Sequence, residues 1–145
     1  MSPVKRTHHA VYDLKYHFVW IPKYRKMILR EDISKRVEEV FREIAKVYEF
    51  DIERMAVVED HVHIFLGAPP RYSAGEIVRV LKSKSAKVVF REFPEVREEL
   101  WGGELWGGEF WSDGYFVRSV GDEVTAEVIR RYIEYHDNKQ LVFDF

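Results

Sequence analysis

The 145 residues are 46% hydrophobic, with eight glycines and five prolines, which fits one compact domain with its own core and argues against a disordered chain. Charged residues make up 33% but nearly cancel to a formal −2, so the overall basic excess of a histone-like protein is absent and any contact with nucleic acid must be local. The absence of cysteine excludes a disulfide framework and thiolate ligands, leaving histidine, carboxylate and amide groups as the metal donors.

The opening residues, 1–6, lack the apolar core of a signal peptide, and no later run approaches the roughly 20 apolar residues that span a bilayer. The expectation is a cytosolic protein with no membrane partner. From 10 to 21 the run AVYDLKYHFVWI is rich in β-branched and aromatic residues and stops at Pro22, which predicts a long strand, and KYRK follows as a basic exit loop. Ile33, Val37, Val40, Phe41, Ile44 and Tyr48 recur at helical spacing, with Lys35, Glu38, Glu39, Arg42, Glu43 and Lys46 on the other side, so this segment is an amphipathic helix.

Segments 51–58 and 61–67 read as two strands joined by a tight turn at Glu59 and Asp60, with Ala68, Pro69 and Pro70 closing the second. Ser73 is placed to cap a long helix that carries Ile77, Leu81, Val88 and Val89 and ends near Phe93, before Pro94. Its other face carries Arg79, Lys84, Lys87 and Arg91. Residues 101–111 read WGGELWGGEFW, a tandem repeat too short for a solenoid unit and too rich in glycine for a regular helix, and are expected to form a structured loop. A short strand at 115–120 and a last helix at 125–138, with Val128, Ile129 and Ile133 on its core side, complete the chain before the apolar tail LVFDF.

This order predicts an α+β fold: the split βαβ antiparallel sheet of ferredoxin-like and RRM-like domains, with one helix appended at the C-terminus. Such a sheet leaves one face free of its two connecting helices, a platform suited to single-stranded nucleic acid, although fold alone never proves function.

In the run His61, Val62, His63, Ile64, Phe65, Leu66 the two-residue period of a strand puts both histidines on one face, where both imidazoles can approach one ion. The same alternation would also mark the wet side of any half-buried strand. In the last helix Tyr132 and His136, four residues apart, share a side, so a third ligand and a nucleophile can lie on one element. Tyr132 also lies beside Ile129 and Ile133 and could be a core aromatic. Tyr135 is the rival nucleophile. The chemistry that needs this set is phosphoryl transfer from DNA to tyrosine, with a cation polarising the scissile phosphate. A phenol of pKa about 10 leaves more readily than an alkoxide, so a phosphotyrosine link can be reversed by a DNA 3′ hydroxyl.

The stretches YHFVWIPKYRK (16–26), EDHVHIF (59–65), LKSKSAK (81–87), FWSDGYFVRSVG (110–121) and RRYIEYH (130–136) together resemble the successive motifs of the single-tyrosine HUH transposases of small bacterial and archaeal insertion sequences, REP-associated relatives included. The likeness runs over nearly the whole chain, and ordered blocks are far more specific than an isolated H-x-H. The resemblance implies a homodimer that excises and inserts single-stranded DNA by recognising hairpins near element ends. It implies that His61 and His63 bind a divalent cation, Mn²⁺ or Mg²⁺, and that Tyr132 forms a 5′ phosphotyrosine, with the tyrosine helix able to serve the partner subunit's metal site. The family usually has glutamine four residues after the nucleophile, where this chain has His136. An amide oxygen suits Mg²⁺, whereas a third imidazole favours Mn²⁺ or a later metal.

Lys84, Lys87 and Arg91 lie along one helical face, and Lys23, Arg25 and Lys26 form a second cluster, so both are candidates for phosphate contacts, against the plain reading of solvated surface. Tyr16, His17 and Trp20 read as sheet packing. The competing functions are a non-catalytic module that holds single-stranded nucleic acid, a host-domesticated REP-type nickase of the same family, and a metal-dependent hydrolase, which has no use for a helical tyrosine.

Overall fold

The computed structural model describes residues 5–6, 11–101 and 108–119. A two-stranded sheet pairs β1 (Lys5–Arg6) with β2 (Val11–Tyr12). The main sheet has four antiparallel strands, β3 (Lys15–Trp20), β4 (Asp51–Val58), β5 (His61–Gly67) and β6 (Phe116–Ser119), in the order β4-β5-β3-β6. Helix α1 (Glu31–Tyr48) connects β3 to β4, while α2 (Ala74–Glu92) and α3 (Glu95–Trp101) connect β5 to β6. Because β5 sits between β3 and β4, this is the split βαβ arrangement expected. The expected helix at 125–138 and the tail lie outside the described residues.

Each element follows from its residue pattern. In β5, Val62, Ile64 and Leu66 are fully buried while His61, His63 and Phe65 face the other way. Helix α1 buries Ile33, Val37, Val40, Phe41 and Ile44, the stripe that its spacing predicts. Ser73 accepts the Glu76 backbone N–H at 3.1 Å and the Glu76 carboxylate accepts the Ser73 N–H at 2.9 Å, a capping box that starts α2. The helices lie over one sheet face, where Phe18, Trp20, Val62, Ile64 and Leu66 meet Val37, Phe41, Ile77 and Leu81 in one core cluster.

One sequence expectation changes and two gain detail. The long first strand is broken at Asp13 and Leu14, and only Lys15–Trp20 joins the main sheet. Its partner runs out there: Lys15 pairs with Gly67, the Ala68 N–H reaches the Leu14 carbonyl at 3.1 Å, and Pro69 has no N–H to continue. Residues Lys23–Arg25 form a 3₁₀ turn with left-handed backbone at Tyr24 (φ 59°) and Arg25 (φ 51°). The repeat expected as a loop begins as the last residue of α3, Trp101, and ends in the core, where Phe110 is 0% and Trp111 3% exposed. Its middle, 102–107, lies outside the described residues.

That re-entry is anchored by polar bonds. The Lys23 N–H donates to the Phe110 carbonyl at 2.8 Å and the Ser112 N–H to the Ile21 carbonyl at 2.9 Å. The Trp111 indole donates to the hydroxyl of the fully buried Ser85 at 2.9 Å, and Trp111 and Phe41 both meet Trp20 edge-on. Ser85→Ala leaves a buried indole N–H without an acceptor, so unfolding in urea should show a loss of about 1–3 kcal/mol with an unchanged slope. An unchanged midpoint would mean that the indole bond contributes nothing.

On the second sheet face His17 is 4% exposed and stacks on Phe65, with ring centroids 4.4 Å apart. Burial pushes its pKa from 6.5 down to about 4, helped by the nearby charges of His63 and Arg54. As pH falls below 6.5 the unfolded chain takes a proton that folded His17 refuses until about 4, so folding stability drops across that window. In thermal melts with chelator, His17→Phe should flatten the fall between pH 7 and 4, and equal slopes in both proteins would refute this assignment.

Candidate active site

The second face of the sheet is set by register. His63 on β5 is flanked by Val19 of β3 and Ala56 of β4, and Phe65 by His17 and Arg54. A bulge in β4 between Ile52 and Arg54 resets the alternation, so that Arg54 and Ala56 lie on the histidine face while Met55 returns to the core side. On β6 the same face receives Phe116, paired to Val19, and Arg118, paired to His17.

His61 is fixed from its Nδ1 side. That nitrogen lies 3.0 Å from Oδ1 of Asp60, and the other carboxylate oxygen, Oδ2, accepts from Arg25 Nε at 3.1 Å and Nη2 at 2.9 Å. The chain Arg25–Asp60–His61 thus runs from the exit of β3 to the first histidine. Burial alone would raise the pKa of Asp60, but the hydrogen bond from His61 and the charges of His61 and Arg25 outweigh it and hold the carboxylate below its usual value. The Nε2 of His61 has no hydrogen-bond partner among the described residues.

His63 is engaged differently. Its Nε2 lies 3.1 Å from Nδ1 of His17, and the two rings are nearly parallel with centroids 5.2 Å apart. Burial, then the charge of His61, then that of Arg54 keep its pKa below 6.5, so the ring stays neutral and retains a lone pair. Two neutral-capable imidazoles on one face, one of them backed by a carboxylate, are donors that fit a divalent cation of the Mn²⁺ type. Among the described residues no group of three or more His, Cys, Asp or Glu is arranged to hold a metal ion. Tyr132 and His136, expected as nucleophile and third ligand, and the rival Tyr135, lie outside the described residues.

The basic candidates divide in two. Lys84, Lys87 and Arg91 are exposed along one face of α2, and Arg91 makes a 3.6 Å ion pair with the adjacent Glu92. The cluster at the β3 exit is tied into the structure: Lys23 pairs with Glu109 at 3.6 Å, Arg25 with Asp60, and Lys26 donates to the Glu99 carbonyl at 3.0 Å. Sequence reasoning treated Asp60 only as a turn residue and His17 only as packing. For Asp60 the signal was present, since it directly precedes His61.

A separate stripe of α2 faces residues 108–115 across a cavity of about 520 Å³ lined by Arg79, Lys82, Phe90, Trp111 and Tyr115 among others. Lys82 Nζ donates to the carbonyls of Ser112 at 2.8 Å and Gly114 at 2.7 Å and lies 5.8 Å from the Tyr115 ring centroid. Burial brings its pKa from 10.5 to about 8, against the pull of Asp113 and Glu109. Among the described residues no helix is long and apolar enough to cross a membrane.

The family model described as "Transposase IS200 like" matches residues 10–136. The ISDra2 transposase TnpA of Deinococcus radiodurans is 33% identical over 137 residues, covering 94% of each chain. The transposase for insertion sequence element IS200 of Salmonella typhimurium is 29% identical over 135 residues, 93% of this chain and 84% of its own. A crystal structure of a candidate transposase from Deinococcus radiodurans R1 superposes with a TM-score of 0.76 at 29% identity, over 94% of this chain and 97% of its own. A REP-associated tyrosine transposase, solved bound to a REP hairpin, shares the fold with a TM-score of 0.52 at 13% identity, over 97% of this chain and 76% of its own. By sequence match over most of its length and by fold, the chain belongs to the IS200-like transposases, enzymes that move insertion-sequence DNA.

Proposed function

We propose that this transposase cuts and rejoins single-stranded DNA at hairpin-bearing element ends through Tyr132, as a homodimer, with His61, His63 and His136 holding a divalent cation. The observation that carries the reading is the pair of histidines on one sheet face, with His61 braced on a carboxylate and its Nε2 left for a ligand. When bound, such a cation supplies polarisation of the scissile phosphate and neutralisation of charge that develops on it.

The Tyr132 oxygen attacks the scissile phosphorus, the bond from phosphorus to the 3′ oxygen breaks, and the 3′ hydroxyl departs while the 5′ phosphate stays on the tyrosine. Attack by a 3′ hydroxyl on that phosphotyrosine forms the new DNA bond and frees the phenol, so no hydrolysis intervenes. Lys84, Lys87 and Arg91, exposed on one helical face, supply cations for backbone phosphates, and Lys23 is the further candidate at the β3 exit. The hairpin as substrate is supported by the fold shared with the relative solved on a REP hairpin. The insertion-sequence relatives at 33% and 29% identity favour a self-mobilising enzyme over a host-domesticated nickase.

The test is a denaturing gel of wild type and Tyr132→Phe with labelled hairpin-bearing single strands from the ends of the native locus, with Mn²⁺ and with chelator. A metal-dependent covalent adduct in wild type, absent in Tyr132→Phe, is expected. Loss in Tyr135→Phe instead would move the nucleophile, and binding with no adduct under any metal would favour a non-catalytic module. With a third imidazole at His136, cleavage should be stronger with Mn²⁺ than with Mg²⁺ at equal concentration, and His136→Gln should narrow that difference. Equal cleavage by both metals, unchanged in His136→Gln, would remove His136 from the ligand set.

A further inference from the structure

The β3 exit turn reaches into the histidine site, and this determines more than the path of the loop. Arg25 directs two donors, Nε and Nη2, onto a single oxygen of Asp60, leaving the other oxygen to face His61 Nδ1. The arrangement requires a backbone that few residues adopt freely, since Tyr24 and Arg25 both have positive φ. It is held in place at both ends. Arg25 N–H donates to the Pro22 carbonyl at 2.8 Å, and Leu29 N–H donates to the Glu59 carbonyl at 3.2 Å, tying the segment to the same hairpin turn that carries Asp60.

We infer that Arg25 and Asp60 are positioning residues for metal binding: the Arg25–Asp60 ion pair locks His61 as the Nδ1–H tautomer and aims its Nε2 lone pair at the cation. This rests on the metal reading proposed above. A carboxylate that accepts the N–H of a ligating imidazole fixes both ring orientation and tautomer and raises ligand basicity. Asp60 has the geometry for that role, and Arg25 orients it by two charge-assisted bonds to its other oxygen. Arg25 accordingly acts on the site through Asp60 rather than as a free phosphate contact. Among the described residues His63 meets another imidazole instead of a carboxylate, so the two histidines differ in what holds them.

The experiment measures Mn²⁺ affinity of the full chain without DNA, by titration calorimetry and by the loss of free-Mn²⁺ paramagnetic signal. Variants are Asp60→Asn, Arg25→Met and Arg25→Lys, with thermal melts to confirm folding. Asp60→Asn should weaken Mn²⁺ binding by about 10–100-fold, and Arg25→Met by about tenfold, at the lower end of that range. Arg25→Lys, which keeps the charge but not the two-donor fork, should fall between wild type and Arg25→Met. A second readout needs no metal: ¹⁵N-detected imidazole spectra in chelator should show His61 as the Nδ1–H tautomer in wild type and a mixture in Asp60→Asn. Wild-type affinity within twofold in both Asp60→Asn and Arg25→Met, with an unshifted tautomer, overturns the inference. If His61→Ala and His63→Ala bind Mn²⁺ as wild type does, the metal reading itself fails, and the positioning role with it.

Discussion

The pairing register of β3 with β5 is the constraint on which the rest depends. With Phe18 opposite Ile64 and Trp20 opposite Val62, the large apolar side chains of both strands fall on the face that α1 and α2 cover. His17, His61, His63 and Phe65 necessarily fall on the other. Slipping either strand by one residue would put imidazoles into the core and expose Ile64 and Trp20, so burial fixes the register and the register fixes the site. The β4 bulge adds one adjustment, keeping Met55 inward and placing Arg54 beside the histidines.

On that second face the electrostatics differ from those of an exposed histidine strand. Burial disfavours charge on His17 and His63, and the cationic Arg54 adds to the effect, so these rings are kept neutral. Asp60 is the counterweight, an anion stabilised by His61 and Arg25 despite being partly buried. Neutral imidazole is the form that donates to a metal, and for His17 and His63 burial favours it first and neighbouring positive charge second.

Among the described residues, four of the sequence blocks that resemble transposase motifs turn out to hold one another. Segment 16–26 reaches 59–65 through Arg25 and Asp60, and meets 110–121 through Ile21, Lys23, Phe110 and Ser112. Segment 81–87 grips 110–121 twice, with Lys82 donating to the Ser112 and Gly114 carbonyls and Ser85 accepting from the Trp111 indole N–H. Four stretches far apart in the chain therefore form one bonded unit around the histidine strand. Residues such as Ser85 and Lys82 belong to that unit because buried polar groups must find partners, and here the partners are on a neighbouring block.

What the sequence determined by itself was whatever depends on local periodicity and local stereochemistry. The alternation in 61–67 assigned the two histidines to one face, the spacing from Ile33 to Ile44 assigned the α1 core stripe, and Ser73 with Glu76 marked the start of α2. The order of elements was enough to predict the sheet topology, because short connections and a split βαβ leave few alternatives. Only the tertiary structure decided what lies beyond that range. It broke the first strand where its partner strand gives way to Pro69, and it brought the end of a glycine-rich repeat into the core through Phe110 and Trp111. It also turned Arg25 from a surface cation into the support of Asp60, and set His17 against His63 across 46 residues of chain. These contacts join residues remote in sequence, and no one-dimensional pattern records a hydrogen bond whose two partners are brought together only when the sheet and its covering loops pack.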